Sequence, residues 1–180
     1  MTEKVYIVDA LRTPVGKAPR GFFSKTRPES LLLHVLKGMV EKYPSIDKER
    51  IDDVIIGCAM PEAEQGMNVA RISTLLAGLP DCVPAMTINR FCSSGLQAVA
   101  QAADKVALGQ ADMIIAGGVE SMSMVPMGGN KFSIHPEVFT DENKAIAYGM
   151  GLTAEIVARK WEISAEEQLD FSYQSHKKAC

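Results

Sequence analysis

Three short apolar runs, at residues 54–59 (VIIGCA), 84–89 (PAMTIN) and 113–116 (MIIA), alternate with segments whose apolar residues recur at helical spacing. This alternation limits the folds open to the chain. Runs with so little polar alternation must be covered on both faces, and a helix between successive strands returns the chain so that the next strand points the same way. The expected architecture is therefore an α/β sheet with parallel pairs and helices on its faces. The intervening helices are read at residues 68–77, stopped by Gly78 and Pro80, and at residues 93–108, with Leu96, Val99, Ala100, Ala103 and Val106 on one face.

Two further elements precede this unit. Residues 5–10 (VYIVDA) read as a buried strand closed by Arg12, Thr13, Pro14 and Gly16. Thr26, Arg27, Pro28 and Glu29 fit a capping box that opens a helix through Leu32, Val35, Leu36, Met39 and Val40, ending near Pro44. After Gly118 the texture changes to Met, Gly, Ser and Pro without clear period until about Met150, which predicts a long excursion or a second domain. Residues 153–161 then read as a helix, and Ser164 with Glu167 forms a capping box for a last helix. That helix meets no Gly or Pro terminator before Cys180, so the chain is expected to be cut within an element.

Composition narrows the function classes. A hydrophobic share of 47% over 180 residues predicts a folded globular protein. The net charge of −3, with both signs interspersed, leaves no basic stripe for a phosphate backbone, so nucleic acid is excluded as a partner. No apolar run approaches bilayer length and the N-terminus carries no cleavable signal pattern, so the protein is expected to be soluble and cytoplasmic, without membrane insertion. Cys58, Cys82, Cys92 and Cys180 form no CxxC pair and have no histidine at ligand spacing, which argues for reduced thiols and against a metal site.

Of these thiols, Cys92 has the setting of a nucleophile. It stands where the third strand candidate hands over to a helix, within Asn89-Arg90-Phe91-Cys92-Ser93-Ser94-Gly95. At a helix start a sulfur faces unpaired N–H groups and the positive end of the macrodipole, both of which favour thiolate. Small residues follow it, where a packing cysteine would be followed by bulk, and Gly95 leaves room for a substrate beside the backbone. Most cysteines are buried packing residues, and that reading is kept for Cys58 at a strand end, Cys82 in a loop and Cys180 at the terminus.

The Gly117-Gly118-Val119-Glu120-Ser121 segment follows the fourth strand candidate and would lie at the same sheet edge as Cys92, where α/β proteins place ligands. It lacks both GxGxxG and a P-loop lysine, so nucleotide fingerprints are excluded, and it serves equally well as a tight strand exit. His34, His135 and His176 read as packing or exposed residues and none as a base. Met122, Met124, Met127 and Met150 are the thioethers that could line an apolar acyl site.

These residues closely resemble the thiolase family. The segments that match are residues 8–16 (VDALRTPVG), 66–71 (GMNVAR), 77–80, 89–95 (NRFCSSG), 117–122 (GGVESM) and 150–155 (MGLTAE), in the family's order and spacing. The resemblance implies a layered α-β-α fold with a mixed sheet, in which two similar domains pair and a loop domain is inserted in the first. Residues 1–118 would be the N-terminal α/β domain and residues 119–180 the start of the CoA-binding loop domain. It makes Cys92 the residue that is acylated, puts Met150 at the acyl pocket, and leaves Gly149 where short-chain biosynthetic members carry a histidine, with room for a longer tail. The family's GHP histidine, asparagine loop and CxG cysteine belong to its C-terminal half and do not occur here, so this chain alone is expected to be inactive.

The implied reaction is thiolysis of 3-ketoacyl-CoA to acetyl-CoA and a shortened acyl-CoA, as in fatty-acid β-oxidation. Coenzyme A is a co-substrate, no cofactor is permanently bound, and acyl-CoA substrates with a homodimer or homotetramer are the expected partners. The lead-in Glu64-Gln65-Gly66 and the Asn-Arg-Phe-Cys form favour this degradative direction. A biosynthetic acetoacetyl-CoA thiolase, a β-ketoacyl synthase relative of the same fold, and a non-catalytic thiolase-like binding module are the alternatives.

Overall fold

Asp53–Gly57 forms the first strand, β1, and all five of its residues are buried. The computed structural model describes residues 4–140 and 148–180. β1 is the middle strand of a three-stranded sheet, flanked by β2 (Ala85–Ile88) and β3 (Ile114–Gly118) in the order β2-β1-β3. Both pairings are parallel, with Val54 opposite Ala85 on one side and Ile115 on the other. A central strand surrounded in this way has both faces buried, which is why its sequence reads as a continuous apolar run.

The two faces of β1 are covered by different helices. Val54 and Ile56 point to one face, where Leu32 and Leu36 of α1 (Pro28–Lys42) and Ala70 of α2 (Val69–Leu76) join them. Ile55 points to the other and packs on Ala98 and Ala102 of α3 (Ser94–Ala107). This is the period-two alternation of a strand resolving into two cores. Each fully buried aliphatic side chain of this kind contributes about 2 kcal/mol. Lys105 of α3 also donates to Asp53 at 2.6 Å, pinning the helix to the start of β1 where the carboxylate is buried.

α2 begins where the sequence placed it. Asn68 is its N-cap in a left-handed conformation, φ 60°, and its Oδ1 accepts from the Arg71 amide and from the Thr87 hydroxyl. The same side chain donates to the Ala85 carbonyl at 3.0 Å, so one residue both starts α2 and fastens it to β2.

Two expectations are corrected. Residues 5–10 form no strand, and Tyr6, Ile7 and Val8 are exposed. An apolar run predicts extension and burial only if a partner strand accepts its backbone groups, and none among the described residues does. α1 has no capping box. Its N-cap is Arg27 without a side-chain cap, Pro28 occupies the first turn, and Glu29 is taken up by the Arg27 guanidinium at 3.0 Å.

The chain divides into two compact units, Met1–Phe132, which holds everything above, and Ser133–Cys180. In the second, α4 (Met150–Lys160) starts three residues earlier than the periodicity indicated. α5 (Ala165–Ala179) opens with the predicted capping box, Ser164 and Glu167 each bonding the other's backbone. Neither helix has a buried residue. Part of the irregular stretch that ends near Met150, residues 141–147, lies outside the described residues. Among the described residues no helix is long and apolar enough to cross a membrane.

Candidate active site

Cys92 lies in a single 3₁₀ turn, Phe91–Ser93, that runs directly into α3, and its thiol is exposed. The turn is built by its own side chains. Asn89 Oδ1 accepts the Phe91 amide at 2.8 Å, and the buried Ser94 hydroxyl accepts the Arg90 amide at 2.8 Å while donating to the Phe91 carbonyl at 2.6 Å. These bonds hold Phe91 at φ 47°, a left-handed conformation that a bulky residue adopts only when its surroundings impose it.

The effect on Cys92 is specific. The amides of Phe91, Ser93 and Ser94 are all engaged, by Asn89, Arg90 and Phe91 respectively. Among the described residues the Cys92 amide has no such partner. An exposed sulfur and a free N–H on the same residue, at the start of a 14-residue helix, are the elements of a nucleophile with one oxyanion donor.

The floor under this turn consists of glycine backbone. A Cβ on Gly57, at the end of β1, would lie 2.5 Å from the Gly95 nitrogen and 2.6 Å from the Ser94 carbonyl oxygen. One on Gly118, at the end of β3, would lie 3.7 Å from Gly95 Cα. The Val119 amide donates to the Gly57 carbonyl at 3.0 Å, so the exits of β1 and β3 are joined beneath α3. A Cβ on Gly95 itself would meet nothing within 4 Å, so the space beside it is open. The Gly117-Gly118 segment thus reaches the first turn of the helix that follows Cys92.

None of the other thiols stands at a helix start. Cys58 is buried, 3.9 Å from a Glu120 carboxylate oxygen, and burial, assisted by that negative charge, pushes its pKa up to about 11. Cys82 and Cys180 are exposed. His34 lines an open cleft of about 390 Å³ with Arg12 and Thr13, and His135 Nδ1 accepts the Glu137 amide at 3.4 Å as the cap of a short 3₁₀ turn. His176 lies in the last turn of α5. Gly149 is the N-cap of α4 and Met150 its first residue, both exposed and both in the second unit. No group of three His, Cys, Asp or Glu side chains among the described residues could hold a metal ion.

Sequence reasoning missed Gly57, whose only signal was a glycine at a strand end, a mark of close backbone approach. It named Gln65 only within the Glu64-Gln65-Gly66 lead-in and missed its full burial and its bond to Glu120.

The family model described as the N-terminal domain of thiolase matches residues 5–180. The chain belongs to the thiolase family. A Bacillus subtilis protein named 3-ketoacyl-CoA thiolase is 48% identical over 179 residues, covering 99% of this chain and 45% of its own length. One of the same name from Pseudoalteromonas translucida is 46% identical over 174 residues, 96% of this chain and 44% of the relative. Among solved structures, an acetyl-CoA acetyltransferase from Bacillus anthracis superposes with a TM-score of 0.74 at 34% identity, covering 93% of this chain and 44% of that one. This chain therefore spans less than half the length of the thiolases it matches. Its layered α/β fold with parallel pairs is the thiolase fold that the motifs implied.

Proposed function

We propose that this chain carries the nucleophile of an acyltransferase that cleaves 3-ketoacyl-CoA by thiolysis, and that the nucleophile is Cys92. The observation that carries the reading is an exposed thiol beside its own unpartnered amide, in the turn entering α3 at the ends of parallel strands. The names of the relatives support the substrate class.

In this mechanism the Cys92 thiolate attacks the C3 carbonyl, and the Cys92 amide donates to the resulting oxyanion, a contribution of about 3 kcal/mol. The C2–C3 bond then breaks. Its electron pair leaves on C2 of acetyl-CoA, which takes a proton, and the shortened acyl group remains on the sulfur as a thioester. Coenzyme A, losing its thiol proton, attacks that thioester and carries the acyl group away, which restores Cys92. The base and acid for these proton transfers are assigned to the family motifs that do not occur in these 180 residues.

Residues 1–118 are assigned to the N-terminal α/β domain and residues 119–180 to the start of the CoA-binding loop domain. Within the latter, Gly149 and Met150 are proposed to border the acyl pocket. A Cβ on Gly149 would meet nothing within 4 Å, so packing does not demand a glycine there, and the exposed Met150 thioether can adapt to an apolar chain. The half-exposed edge strand β2 supports a homodimer or homotetramer formed through that edge, and four free thiols support a cytoplasmic setting. Condensation of two acetyl-CoA molecules is the second reading, favoured by the likeness to the acetyl-CoA acetyltransferase structure.

Mass spectrometry after mixing with acyl-CoA tests the nucleophile. An acyl adduct on Cys92 that is absent from Cys92→Ala is the expected result, and a protein that binds acyl-CoA without any adduct would be a non-catalytic module instead. Rates with acetoacetyl-CoA and with a longer 3-ketoacyl-CoA, measured on these residues joined to the C-terminal half of a matched thiolase, separate degradation from biosynthesis. The 180 residues alone are expected not to turn over.

A further inference from the structure

Gln65 and Glu120 form a polar bridge between the exits of β1 and β3 that the mechanism above leaves unused. Glu120 Oε2 accepts the Ala59 amide at 2.6 Å, and its Oε1 accepts from Gln65 Nε2 at 2.7 Å. The fully buried Gln65 side chain gives its second amide hydrogen to the Met60 carbonyl at 2.9 Å, and its Oε1 accepts the Ser121 amide. Every donor of that amide is used, so it cannot turn over without setting donor against donor. Ala59 and Met60 follow β1, whereas Glu120 and Ser121 follow β3. The first turn of α3 rests on these same two exits, with only the backbones of Gly57, Gly118 and Gly95 in between. A shift of either exit therefore passes into the turn that carries Cys92, with no side chain between to absorb it.

We infer that Glu120 is a positioning residue for Cys92, acting through the paired strand exits that support the first turn of α3. The inference deepens the reading of Cys92 as nucleophile and rests on it. Glu120→Gln supplies one acceptor where the bridge needs two, and turns an NH₂ group toward either the Ala59 amide or Gln65 Nε2.

The test is alkylation by iodoacetamide of the full chain at fixed pH, with the rate at Cys92 read by mass spectrometry against Cys82 and Cys180. Both references are exposed on the same molecule, so a general loss of stability leaves the ratios unchanged. Glu120→Gln is expected to lower the Cys92 rate about threefold or more relative to both references. Gln65→Leu, which removes the amide at the other end of the bridge, is expected to lower the same ratio. An unchanged Cys92 ratio in folded Glu120→Gln overturns the inference, as does an unchanged ratio in folded Gln65→Leu. If Glu120→Gln does not fold, Glu120→Asp, which keeps the charge but cannot reach both donors, is read by the same ratio. Iodoacetamide needs no CoA ligand, so a Cys92 that alkylates but accepts no acyl group from acyl-CoA sinks the proposed function alone.

Discussion

Gly57 at the end of β1 lies against Gly95 in the first turn of α3, so closely that a Cβ on Gly57 would come within 2.5 Å of the Gly95 nitrogen. The obstacle is backbone on both sides. Gly57→Ala must therefore push the start of α3 away from the sheet or distort β1, at a cost of about 2–4 kcal/mol. Chemical denaturation is expected to show that loss, and acylation at Cys92 should fall with it. Gly95→Ala is the control, because its Cβ meets nothing within 4 Å. It should leave stability nearly unchanged, so any fall in its acylation rate reports crowding of the approach to Cys92.

Ser94→Ala removes the hydroxyl that closes the turn around Cys92. It leaves the Arg90 amide without its partner, a bond of 2.8 Å, and takes from the Phe91 carbonyl one of its two donors, the 2.6 Å hydroxyl, while the Ser94 amide remains. A part-buried donor stranded in this way costs about 1–2 kcal/mol. Phe91 would also lose part of what holds it at φ 47°. The expected outcome is a lower Tm together with slower iodoacetamide labelling of Cys92 relative to Cys82. Equal labelling ratios in the two proteins would show that the hydroxyl does not hold the turn.

The sequence exposed the sheet and the place of Cys92 because both depend on local pattern. The run at residues 54–59 is apolar throughout since β1 is buried on both faces, and small residues after Cys92 mark where α3 begins. Residues 5–10 carry the same kind of run and yet make no strand, because pairing depends on a partner that composition does not specify. The Thr26–Glu29 pattern failed for a nearer reason, the capture of Glu29 by Arg27. What stayed hidden around Cys92 was long-range. Gln65 and Glu120 are 55 positions apart and Gly57 of β1 meets Gly95 of α3, contacts that no periodicity encodes.

Ser73 of α2 is fully buried, and among the described residues its Oγ has no hydrogen-bond partner. The hydroxyl has given up water without a replacement, so its removal should help. Ser73→Ala also improves helix propensity, and the two effects together are expected to stabilise by about 0.5–1.5 kcal/mol. Thermal unfolding should show a Tm raised by a few degrees, on the order of 2–5 °C. A lowered Tm would mean that the hydroxyl has a bonding partner.

Cys58 should leave a signature in alkaline solution. Burial first, and the Glu120 carboxylate second, raise its thiol from 9.0 to about 11 in the folded state. A folded-state value above the unfolded one means that the folded protein holds the proton more tightly. The associated stability is present in full below about pH 9 and is lost as pH rises toward 11. Tyr43, raised by its hydrogen bond to Asp9, titrates in the same direction, so the difference between wild type and Cys58→Ala isolates the thiol. Unfolding free energy is expected to fall more steeply with pH in wild type than in Cys58→Ala across that interval, whatever constant offset the small cavity adds. Parallel slopes would mean that Cys58 is ionised as readily in the folded chain as in the unfolded one, and the thiol would then have to be open to water rather than closed in beside Glu120.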